Sequence, residues 1–132
     1  MMRNYFLKIV ALLFLLASGY AQALSLGKMT TYSGLNQPFE AEILLHAVAK
    51  GELDGIKVSI ASADAFKKAE IDRPFILTRL NFETMSKDNG QAVIRVTSRN
   101  SIPEPYLNFL LEVSSPRERV LKEYSVLLDV PR

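Results

Sequence analysis

The chain has 132 residues, no cysteine, no tryptophan and one histidine, with 16 Lys and Arg against 14 Asp and Glu. That inventory excludes a disulfide framework and zinc sites built from several His or Cys ligands, and it leaves any nucleophile–histidine pair only the imidazole of His46. Two of the cationic residues, Arg3 and Lys8, lie in the first segment, so the remainder is formally balanced and lacks the clustered positive charge that nucleic acids or anionic membranes require.

Met1–Ala23 reads as an export signal. Arg3 and Lys8 give a positive start, Ile9–Ala17 is an apolar run too short to span a bilayer, and Ala21-Gln22-Ala23 is a small-residue cleavage site. Cleavage after Ala23 leaves residues 24–132 as one exported domain, large enough to hold a core without cross-links. The alternative is an uncleaved leader that serves as a membrane anchor, the one route to a membrane that the sequence offers.

After Ala23 the dominant pattern has period two, as half-buried antiparallel strands require. A strand is expected at Met29–Ser33. In the next, Phe39, Ala41, Ile43 and Leu45 face inward while Glu40, Glu42 and His46 face out, with Leu44 as an exception. Ile56, Val58 and Ile60 alternate with Lys57 and Ser59. One helix of two turns at most is expected from an N-cap at Ser62, through Asp64, to about Glu70, ahead of Pro74; Phe66 and Ala69 share a face that would plug an open end of the fold. Strands at Ile76–Met85 and Gln91–Ser98 flank Lys87-Asp88-Asn89-Gly90, where Asn-Gly suits a tight hairpin. Leu107–Ser114 and Val120–Val130 form a second hairpin through Ser115–Arg119, with Pro116 in the turn. Its outward face carries Tyr106 and Leu110 and so calls for a cover. The sum is an all-β, immunoglobulin-like antiparallel sandwich of about seven strands with one short connecting helix.

Candidate chemistry is sparse. Glu40 and Glu42 stand two apart on one strand face, roughly 7 Å, near the spacing of glycosidase carboxylates. Working pairs face each other across a cleft in unlike environments, whereas neighbouring exposed glutamates keep a strand face soluble. Arg117 and Arg119 around Glu118 read as a solvated turn, and Ser98-Arg99-Asn100-Ser101 is similar. No catalytic, cofactor or metal site is expected. Ile102-Pro103-Glu104-Pro105-Tyr106 holds the chain extended and deprives it of two backbone donors, which protects a sheet edge or forms a recognition rim. On the second reading Pro105, Tyr106, Asn108 and Leu110 contact a partner.

Five blocks carry a resemblance: Ser33–Ile43 (SGLNQPFEAEI), Asp72–Leu80 (DRPFILTRL), Val93–Ser98 (VIRVTS), Glu104–Val113 (EPYLNFLLEV) and Glu123–Asp129 (EYSVLLD). In this order and spacing they resemble the N-terminal periplasmic domain of the FimV/HubP family. The resemblance implies a non-enzymatic interaction role in the Gram-negative envelope, with pilus-machinery or other envelope proteins as partners in type IV pilus or cell-pole assembly. Full-length relatives continue into a peptidoglycan-binding LysM module, a membrane-spanning helix and an acidic cytoplasmic part. No such segments follow the domain in this sequence. A peptidoglycan- or carbohydrate-binding module is the alternative, although outside the leader only Tyr32, Tyr106 and Tyr124 supply tyrosine rings for stacking on sugars.

Overall fold

A computed structural model describes residues 23–130 apart from Lys50, so the leader through Gln22 lies outside the described residues. Seven strands form two antiparallel sheets: β1 Ser25–Thr31, β2 Pro38–His46, β3 Lys57–Ile60, β4 Leu80–Ser86, β5 Ala92–Ser101, β6 Tyr106–Ser114 and β7 Arg119–Leu127. The four-stranded layer runs β1-β2-β5-β4 and the three-stranded layer β3-β6-β7. Inward residues of both layers make one core, with Phe39, Ile43, Ile94, Phe109, Leu111 and Val113 fully buried.

The connection from β3 to β4 carries the only α-helix among the described residues, α1 Ala63–Lys68, and a 3-10 turn at Phe75–Arg79. Ser62 caps α1 as expected, its Oγ accepting from Ala65 N at 3.2 Å. Phe66 is buried in the core, but Ala69 is exposed, and Ala65 and Ile71 take its place against the core. The strand expected from Ile76 starts only at Leu80, because Thr78 Oγ1 donates to Phe75 O at 2.7 Å and closes a turn that buries Leu77.

The Lys87–Gly90 hairpin forms. Gly90 N bonds Lys87 O, Lys87 N bonds Gln91 O, and Gly90 alone takes the positive φ of +85°, so the loop is a turn followed by a left-handed residue. At the next connection Pro103 and Pro105 stand in the crossover from β5 to β6, Pro105 directly before the first residue of β6. Without N–H groups they cannot extend the β5 ladder, and the chain changes layer around buried Ile102.

β1 lies earlier than Met29–Ser33 and carries a bulge between Leu26 and Met29. Gly27 sits there under His46: a Cβ at this position would lie 2.6 Å from His46 Nε2 and 3.0 Å from Leu44 Cβ. The bulge carbonyls turn to β7, where Lys122 Nζ donates to Leu26 O at 3.0 Å and Tyr124 OH to Gly27 O at 2.8 Å. Two strands that share no ladder are thus sealed by side chains. A second irregularity, where β2 meets β5, is resolved by buried Ser98, whose Oγ accepts from Phe39 N at 2.8 Å.

Candidate partner-docking edge

β3 pairs with β6 from Lys57↔Ser114 only as far as Ile60↔Leu111. One further bond, Ala61 N to Leu110 O at 2.9 Å, marks which way the Leu110 main chain points. Main-chain groups alternate sides along a strand, so those of Asn108 and Tyr106 point the same way as Leu110, away from β7. Pro105 supports this phase, since its carbonyl accepts from Leu128 N on the β7 side at 2.8 Å. No strand of the described residues pairs with β6 there, so half of its edge is open.

A groove of about 300 Å³ runs along that open half, lined by Pro74, Ile76, Glu104, Tyr106, Leu107 and Asn108. Tyr106 is 53% exposed, and its cross-strand neighbour Leu127 is 75% exposed. The polar atoms of this face are ordered in sequence. Tyr106 OH donates to Ser125 Oγ at 3.3 Å and Ser125 Oγ to Asn108 Oδ1 at 2.9 Å, which leaves the Asn108 amide nitrogen for an incoming acceptor.

Of the four residues expected to contact a partner, Tyr106 and Asn108 share this groove and Pro105 is exposed beside it. Leu110 does not join them. It is only 7% exposed, covered on its outward side where Ala65, Lys68 and Ala69 of the α1 region meet Leu121 and Arg119 around a separate hollow. The outward face is therefore covered only at its Leu110 end, beside α1, while Tyr106 stays exposed. Sequence reasoning missed Pro74, read only as a stop after the helical segment, and Ile76, which the expected strand placed in a sheet.

The other candidates are engaged in surface pairing. Glu40 Oε1 lies 3.2 Å from Arg95 Nη2, and Glu42 Oε2 lies 3.0 Å from Lys87 Nζ. The hydrogen bond and charge of Glu42 raise the Lys87 pKa. Both carboxylates are thus cation-paired on the outer face of one sheet, Glu40 exposed and Glu42 half-buried. Arg117 binds Glu52 at 2.9 Å and Arg119 binds Glu112 at 2.6 Å. His46 is exposed over Gly27, and among the described residues no three His, Asp or Glu side chains are grouped to hold a metal. No helix of the described residues is long and apolar enough to cross a membrane.

This layer order, with the first, second, fifth and fourth strands in one sheet and the third, sixth and seventh in the other, defines an immunoglobulin-like domain of the seven-stranded, constant type. The chain belongs to the family of the FimV N-terminal Ig-like domain, which it matches over residues 24–131. It is 49% identical over 116 residues to proteins described as motility hub protein FimV in two strains of Pseudomonas aeruginosa. The match covers 88% of this chain and 13% of each relative, so the chain spans about an eighth of their length. No solved structure matches it significantly.

Proposed function

We propose that this protein is a non-catalytic interaction module of the Gram-negative cell envelope, exported to the periplasm and accessory to type IV pilus or cell-pole assembly. The observation that carries the reading is the open half of β6: main-chain groups at Tyr106 and Asn108 that no strand of the described residues pairs, beside a groove of mixed apolar and polar lining. An extended segment of a partner adds there as a strand, main-chain bonds supplying affinity and the Tyr106–Ile76 groove selecting a side chain. Membership in the FimV N-terminal family and similarity to motility hub proteins support an envelope setting.

The test uses the chain expressed with its leader and recovered from the periplasm, offered separately to envelope proteins and to purified sacculi. Envelope proteins captured by the wild type and by Glu40→Gln, but lost with both Tyr106→Ala and Asn108→Pro, support strand addition. Sacculus binding abolished by Tyr106→Ala, with no protein captured, replaces the reading with a carbohydrate-binding one. Cleavage of sacculi that Glu42→Gln stops would overturn the non-catalytic assignment.

A further inference from the structure

The boundary between the leader and the domain coincides with an unusual contact. Ala23 is exposed, whereas Leu24 is 3% exposed, and the Leu24 backbone nitrogen lies 2.6 Å from Glu118 Oε1 across 94 residues of sequence. Glu118 belongs to the β6–β7 turn and is held there: its N–H bonds Ser115 Oγ at 3.2 Å and its carbonyl accepts from Ser115 N at 2.8 Å. The turn and its flanks are rich in ion pairs, since Arg117 is matched by Glu52 and Arg119 by Glu112. Glu118, between those two arginines, has no Lys or Arg within salt-bridge distance among the described residues. Glu118 is thus a partly buried carboxylate that accepts one amide N–H and is paired with no cation among the described residues.

Cutting the Ala23–Leu24 bond converts that same nitrogen into an ammonium. We infer that Glu118 is the receptor for the N-terminus created by processing after Ala23, and that the Leu24 ammonium and the Glu118 carboxylate form an ion pair that fastens β1 to the β6–β7 turn. Hydrolysis supplies the chemistry: water adds across the peptide bond, Ala23 leaves with a carboxylate and Leu24 keeps the amine, which is protonated near neutral pH. The small-residue site in the sequence, the start of the family match at residue 24 and the aim of Glu118 converge on one bond. Because Leu24 is buried, the bond must be cut before β1 docks. The inference rests on the export reading proposed above.

The experiment expresses the full chain with its leader, purifies the periplasmic product and determines its N-terminus by mass spectrometry. The Leu24 amine is then titrated by NMR and labelled with an amine-reactive reagent, using surface lysines as the internal reference. The expected product begins at Leu24, its amine titrates above the usual range of about 7.7–8.0, and it labels about tenfold more slowly than in Glu118→Gln, which keeps an acceptor oxygen but loses the charge. A product that retains the leader or is cut elsewhere overturns the export and processing reading. A product that begins at Leu24 but has an ordinary amine pKa, measured on the wild type alone, overturns the ion pair and leaves export standing, whether or not Glu118→Gln folds.

Discussion

The two margins of the three-stranded layer are finished in opposite ways. At β7 no further strand of the described residues adds to the sheet, yet Lys122 and Tyr124 reach across to the carbonyls of the β1 bulge and close the margin with side chains. At β6 the neighbouring strand stops after four residues, and among the described residues nothing of the kind takes up the main chain of Tyr106 and Asn108. An unprotected edge is a hazard in a protein that gains nothing from it. The contrast teaches that closure by side chains is within reach of this fold and is absent where we place the partner.

The sealed margin should be the costlier to disturb. Tyr124→Ala removes a ring packed 6.0 Å from Phe109 together with the hydroxyl that satisfies Gly27, and is expected to lower stability by about 3–5 kcal/mol in urea unfolding. Phe109→Pro, on the paired side of β6, should cost about 3 kcal/mol or more, while Asn108→Pro, one residue away with its N–H at the open edge, should change stability by less than about 1 kcal/mol. A large loss in Asn108→Pro would mean that the edge is occupied within the fold.

Tyr124→Phe keeps the ring and orphans the Gly27 carbonyl, at about 1–2 kcal/mol near neutral pH. Burial raises the Tyr124 pKa from 10.0 to about 12, so the unfolded hydroxyl ionises first and the folded one holds its proton. Stability tied to this group is full below pH 10 and falls as pH rises toward 12, by up to about 2 kcal/mol. The gap between wild type and Tyr124→Phe should therefore narrow over that interval in unfolding measured against pH. At the small end, Glu40→Gln breaks only an exposed pair with Arg95 and should shift stability by less than about 1 kcal/mol.

Alternation made the layers legible, because it states which residues face inward: Phe39, Ala41, Ile43 and Leu45 occupy the core as their spacing demands. Alternation says nothing about which strand lies alongside. The early halt of β3 was marked by the N-cap at Ser62, but nothing in Ile56–Ile60 shows that β6 is the strand it leaves uncovered. Lys122 was equally opaque. It lies on the inward row with Val120, Tyr124 and Val126, where a lysine reads as a break in pattern, and its purpose appears only when Leu26 is seen to present a carbonyl. Tyr106 and Asn108 were accessible from sequence through the two prolines before them, whereas Pro74 and Ile76 reach the groove only because a 3-10 turn replaces the first residues of the expected strand.

The ladders also set a tempo. Three of the five join strands adjacent in the chain, but β2–β5 and β3–β6 join partners such as Ile43↔Ile94 and Val58↔Val113, about fifty residues apart, and must overcome loop-closure entropy before any bond rewards it. Sandwiches dominated by such distant pairings assemble in milliseconds to seconds, far more slowly than helical bundles. Until β2 finds β5, the pairs β1–β2 and β4–β5 are separate halves of the four-stranded layer with their apolar faces wet, and the length of that interval is written into the order of the strands.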